Sequence, residues 1–175
     1  MLTNIIKVMV SGQEIEINSG TTLLEISKMF ANKGKRQAIV AKVDGHYREL
    51  FEEAKNGNQI EFLDLTDCGA NRIYLNGLIL LVNYAFYQIF GNKNIVTVKH
   101  SADKALCFET SQKISKEKLK EVEKKMRAVV EANLPITKMT VLKSEAIEYF
   151  HKMHDEKKAK LLEYMTNTYV HLYKD

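Results

Sequence analysis

Eighteen consecutive residues without a charge, Ile73–Phe90 (IYLNGLILLVNYAFYQIF), constrain this 175-residue chain more than any other feature. A helix of that length matches the hydrocarbon thickness of a bilayer. Three side-chain amides, Asn76, Asn83 and Gln88, oppose such a use because each is costly in hydrocarbon, and Arg72 and Lys93 flank the run without an orienting bias. No second run accompanies it. The expected element is a buried core helix, Arg72–Phe90, stopped by Gly91-Asn92, in a protein with no membrane role.

Ahead of that helix, Ile5–Val10 and Gln13–Asn18 alternate in polarity around Ser11-Gly12, the pattern of a tight hairpin. Thr21 or Thr22 caps a following helix, with Glu25 in capping-box register to Thr22. Leu23, Leu24, Ile26 and Phe30 form its apolar face and Asn32-Lys33-Gly34 ends it. Ala38–Val43 reads as a largely buried strand closed by the Asp44-Gly45 turn, and Gln59–Leu65 as another. This order predicts a small β-grasp sheet wrapped over one helix in residues 1–66, with no obvious catalytic pocket. Asp67–Asn71, containing Cys68-Gly69, is expected to join it to a second domain, residues 67–175.

In that second domain Ile95–Lys99 and Ala105–Glu109 predict a hairpin with His100–Lys104 as its loop. Ser115 caps a helix whose Leu119, Val122, Met126, Val129 and Val130 lie on one stripe until Asn133-Leu134-Pro135 ends it. Ile136–Leu142 alternates as a strand, and Ser144–His154 reads as a helix with Ala146, Ile147 and Phe150 inward. Lys157–Tyr164 is a further helix and Tyr169–Tyr173 a final alternating strand. Stopping two residues past an unclosed strand, the chain reads as a piece of a longer protein. The fold class is α+β.

With 45% hydrophobic residues the chain can bury a core without staples. Two cysteines, Cys68 and Cys107, and no signal-like N-terminus predict a reducing cytoplasm. The net charge of +4 is uneven: residues 1–66 hold 8 Lys+Arg and 9 Asp+Glu, residues 67–175 hold 18 and 13. That excess could meet RNA phosphates, but interleaved glutamates dilute it, and a solvated lysine-rich surface is the simpler reading.

Chemistry-bearing patterns are sparse. Met29–Arg36 is the nearest string to a phosphate-binding loop, but Met29 stands where the first glycine belongs and Arg36 replaces the hydroxyl residue. His151 and His154 share a helix face, yet no further ligands are arranged to complete a metal site, and both read as solvent-facing, like His46 and His171. His100-Ser101 would point to opposite faces of a strand and cannot cooperate there, so a loop role is expected. Cys107 reads as core, and Cys68 is undecided. Tyr74, Tyr84, Phe86 and Tyr87 belong to one apolar helix, whereas base-stacking aromatics stand exposed on sheets, so core packing is expected of them.

The opening residues, with Ser11-Gly12, Ser19-Gly20-Thr21-Thr22 and Val43-Asp44-Gly45, resemble a TGS domain, which implies a ubiquitin-like β-grasp and a regulatory or RNA-contacting role. The long helix ending Tyr84–Phe90, the hairpin, the Lys/Glu helix and Lys143-Ser144-Glu145-Ala146 resemble the second additional domain of threonyl- and alanyl-tRNA synthetases. In that editing domain the first long helix carries two histidines at HxxxH spacing. The positions aligned with them hold Asn76 and Leu80, and the family's later Cys and His would lie beyond Asp175, so the resemblance carries over no metal, cofactor or hydrolytic site.

The segment His100-Ser101-Ala102-Asp103-Lys104 followed by Cys107-Phe108-Glu109 is more similar to the N-terminal region of uridine-kinase-like nucleoside kinases. That resemblance implies a non-catalytic regulatory or binding region of a bacterial, cytoplasmic kinase, with ATP and Mg²⁺ needed only by the parent's separate kinase domain. His100, Ser101 and Lys104 become candidate ligand or interdomain contacts. Expected partners are the parent's C-terminal domain and tRNA or other structured RNA. Two alternatives stand beside it: an N-terminal fragment of a threonyl-tRNA synthetase, and a stand-alone RNA-binding protein.

Overall fold

The computed structural model describes residues 4–30, 37–91, 96–102, 105–134 and 136–174. The chain divides into two compact units, Met1–Lys118 and Leu119–Asp175. It is a mixed α+β protein.

In the first unit, strands β1 (Ile5–Val10) and β2 (Gln13–Asn18) form the expected hairpin. Its two turn residues, Ser11 and Gly12, both take positive φ, 50° and 85°, as a two-residue hairpin with right-handed strand twist requires. Helix α1 (Leu23–Met29) starts at a capping box in which Thr22 and Glu25 satisfy each other's backbone amides. The expected stop at Asn32-Lys33-Gly34 lies outside the described residues. Strands β3 (Val40–Val43) and β5 (Gln59–Leu63) are shorter than their sequence patterns suggested.

Between them the Asp44-Gly45 turn does not merely end β3 but folds it back onto a short strand, β4 (His46–Arg48). Three exposed residues carry no hydrophobic alternation, which is why this strand is invisible to pattern reading. Asp44 also reaches sideways: its carboxylate accepts from the Gln59 amide at 2.8 Å and from Asn58 Nδ2 at 2.7 Å, fastening the turn to β5.

The five strands run in the order β2-β1-β5-β3-β4. Every neighbouring pair is antiparallel except β1 and β5, which run parallel. One face of the sheet closes on α1 around Val8, Val10, Leu23, Ile26, Ala41 and Ile60, all buried.

Helix α2 (Cys68–Phe90) starts four residues before the expected position. Asp67 makes the difference, accepting from the Ala70 amide at 2.8 Å as the N-cap, so the stretch expected as a junction is the cap and first turn. Gly69 fits there because Tyr47 covers it, leaving no room for a Cβ.

The expectation of a buried core helix fails more plainly. Only 11% of its most apolar stretch is buried, and by length and composition alone it could cross a membrane. Its apolar side chains surround the axis, so that Ala85 and Phe86 are buried while Ile73 and Leu80 are exposed. The hairpin of β6 (Val96–Ala102) and β7 (Ala105–Thr110) follows it. Of the aromatic residues expected in a core, Phe86 is buried, 5.6 Å from the Phe90 ring centroid, whereas Tyr74 and Tyr87 are exposed and Tyr84 is half-buried.

Helix α3 (Lys116–Glu131) opens with the Lys118 amide donating to Ser115 Oγ at 3.3 Å. The boundary between the two units falls within it. Val122 is buried and Met126 and Val129 are half-buried, but Leu119 and Val130, at the edge of the same stripe, are exposed.

The second unit then builds a ribbon from β8 (Thr137–Leu142) and β9 (Tyr169–Lys174), with α4 (Lys143–Lys152) and α5 (Glu156–Glu163) between them in sequence. β9, expected as an unclosed strand, is antiparallel to β8 along its whole length. Ala146, Leu162 and Val170 form the core, with Val141, Ile147, Phe150 and Leu172 packed against it.

Past the end of α4, His154 sits in the left-handed region at φ 56°, while the Asp155 amide reaches back to the Phe150 carbonyl at 2.9 Å. A side chain with a Cβ is disfavoured at such a cap. His154→Gly is therefore expected to stabilise the chain by roughly 0.5–1 kcal/mol, read as a higher urea midpoint at unchanged slope.

Candidate functional site

Asn76 and Leu80 lie one helical turn apart on α2 and share a face, both exposed. A helix delivers two side chains at i and i+4 to a common ligand, so the backbone geometry of a chelating pair is present while the ligating atoms are not. An amide is a weak metal ligand and a hydrocarbon is none. Among the described residues no group of three or more His, Cys, Asp or Glu is placed to hold a metal ion. The start of the helix is anchored instead by Asp67. The Ala70 amide, helped by the Tyr47 hydroxyl at 3.2 Å, holds its carboxyl below the usual range despite partial desolvation.

His100 and Ser101 do not lie in a loop. Pairing continues to the end of the hairpin, with His100 opposite Cys107, Ser101 opposite Leu106 and Ala102 opposite Ala105, after a register shift between Val98 and His100. Both residues therefore belong to β6. Lys104 and the Gly34-Lys35-Arg36 string lie outside the described residues. Cys107 is half-buried and Cys68 exposed, and both are free thiols.

His151 and His154 are exposed, but the helix ends before His154, so the two do not share a helix face. His151 Nδ1 instead lies 3.0 Å from a Glu156 carboxylate oxygen. His46 is exposed on β4 and His171 on β9, with His171 Nδ1 3.0 Å from Thr140 Oγ1.

The outer face of the five-stranded sheet carries an open concavity of about 420 Å³ bordered by Met9, Lys42, Gln59 and Glu61 and by the two glycine turns. Its neighbourhood is charge-balanced. Lys7 pairs with Glu14 at 3.1 Å and Glu16 at 3.6 Å, and the hydrogen bond and charge of Glu14 hold its ammonium above the usual range. Such a face offers no surplus charge to a polyanion.

The chain is similar to threonine–tRNA ligases. The ligase of Natranaerobius thermophilus is 26% identical over 146 residues, which is 83% of this chain and 23% of the relative. That of Aquifex aeolicus is 24% identical over 161 residues, 90% of this chain and 25% of the relative. The Thermotoga maritima ligase is 26% identical over 143 residues, 79% of this chain and 22% of the relative. No protein-family model matches the chain. It spans about a quarter of the length of these curated relatives.

This similarity runs through both units and favours the synthetase alternative over the kinase parentage, which it does not support. The match to only part of each ligase is consistent with a segment that does not itself ligate. Pattern reading passed over the outer face of β9. Its signal was the alternation of Tyr169, His171 and Tyr173, legible as a strand but not as an exposed row.

Proposed function

We propose that this chain is the tRNA-contacting N-terminal region of a cytoplasmic threonyl-tRNA synthetase-like protein, and that it performs no chemistry of its own. The observation carrying the proposal is similarity to threonine–tRNA ligases sustained over 79–90% of the chain. In this reading residues 1–66 are a TGS-like β-grasp module. Support comes from the mixed sheet with β5 between β1 and β3, parallel to β1, closed over α1. Residues 67–175 are the synthetase-like second domain, in which Asn76 and Leu80 take the place of an editing enzyme's metal-binding histidines. Aminoacylation, with its ATP and Mg²⁺, belongs to the parent's remaining domains, which are also this region's partners.

The test is tRNA binding by fluorescence anisotropy across a salt series, paired with incubation on charged tRNA. The expected result is binding whose affinity falls linearly with salt on logarithmic axes, with no deacylation above background. Absence of binding at low salt would remove the RNA role. Zinc-dependent deacylation would remove the non-catalytic one.

A further inference from the structure

We infer that the outer face of the β8–β9 ribbon is a stacking platform for unpaired nucleotides of an RNA. The ribbon has two unlike faces. Val141, Val170 and Leu172 pack into the core formed with α4 and α5, and only Met139, opposite Leu172, is exposed on that face. The other face pairs Leu142 with Tyr169, Thr140 with His171 and Lys138 with Tyr173. All six of these residues are exposed, Tyr169 by 59% and Tyr173 by 46%.

Residues at i, i+2 and i+4 of a strand share a face, and each step of two residues advances about 7 Å. Tyr169, His171 and Tyr173 therefore form a row of three flat rings at regular spacing along β9. The parallel row on β8 supplies an aliphatic, a hydroxyl and an ammonium group. Thr140 Oγ1 lies 3.0 Å from His171 Nδ1, which ties the middle ring to the neighbouring strand. No acidic side chain interrupts the six.

Exposed rings on a sheet beside a cation are what single-stranded RNA uses, because every base has a face to stack and every linkage a negative charge. A docked protein would meet a weaker match, since the rings are spread in a single file with a polar row beside them rather than gathered around a pocket. The outer face of the five-stranded sheet lacks such a row, and Lys7 on it pairs with Glu14 and Glu16.

This inference rests on the tRNA-contacting reading and locates part of the contact. The experiment uses the full chain, a fluorescein-labelled unstructured oligoribonucleotide and a folded tRNA. Because the chain has no tryptophan, quenching of tyrosine emission gives a second readout. Tyr169→Ala/Tyr173→Ala is expected to weaken oligonucleotide binding about tenfold or more and to reduce the quenching. Tyr169→Phe/Tyr173→Phe, which keeps the rings, is expected to stay within about twofold of wild type. Lys138→Ala should weaken binding and flatten the salt dependence by about one unit of slope.

Circular dichroism of each variant verifies folding. If the alanine pair binds tRNA and oligonucleotide as wild type does, the platform is overturned while the wider reading stands. If wild type binds neither, both fall. If the alanine pair loses self-association in sedimentation while RNA binding is unchanged, the face is a protein interface and the inference is wrong.

Discussion

Ile26→Ala is expected to destabilise the first unit by about 3 kcal/mol, the middle of the range for emptying a fully buried aliphatic site. Ile26 has no exposed surface and belongs to the core that joins α1 to strands β1, β3 and β5, so neither side can collapse into the space left behind. A loss of that size is a large fraction of the stability of an ordinary domain. The matched control is Ile5→Ala, on the outer face of β1 and 60% exposed, which should stay within about 0.5 kcal/mol of wild type. Urea unfolding followed by circular dichroism reads both. A change below about 1 kcal/mol at Ile26 would contradict the packing described.

The second large effect concerns α2. Asn76→His/Leu80→His is expected to let this face chelate zinc or cobalt, because exposed imidazoles one turn apart meet a common ion. Binding to the folded form alone raises stability by mass action, about 2.7 kcal/mol when free metal is a hundred times the dissociation constant. The rise in melting temperature should saturate with metal, vanish on adding a chelator and be small for either single substitution. Stoichiometric metal already present on the wild-type chain would defeat the premise.

How far the fold could be read from residues alone depended on whether local rules were decisive. They were at β1 and β2, where strict alternation meets a glycine turn, and at α1, where Thr22 and Glu25 announce the cap. They were weak at His46–Arg48, a strand made by the Asp44-Gly45 turn and backbone pairing rather than by its own side chains. They misled at Cys68-Gly69, which read as a loop because glycine breaks isolated helices, although here Asp67 caps and Tyr47 fills the space above.

The long helix shows the deepest limit. Composition reports that Ile73–Phe90 is apolar but not what lies against it, and in the described structure only Ala85 and Phe86 of that run are buried. The candidate site was legible in the same uneven way. Asn76 and Leu80 could be located by spacing, whereas the ring row on β9 depends on which side of the ribbon α4 and α5 cover, and that is a tertiary fact.

The way β8 and β9 enclose α4 and α5 in sequence also governs how the second unit comes together. Leu142 lies 27 residues before its partner Tyr169, so the first ribbon contacts must overcome the closure entropy of a sizeable loop. Helical turns form far faster than distant strands meet, which orders the events: α4 and α5 collapse locally, and the ribbon zips up late. Damage to the ribbon should then leave the rate of assembly nearly unchanged and shorten the lifetime of the assembled state.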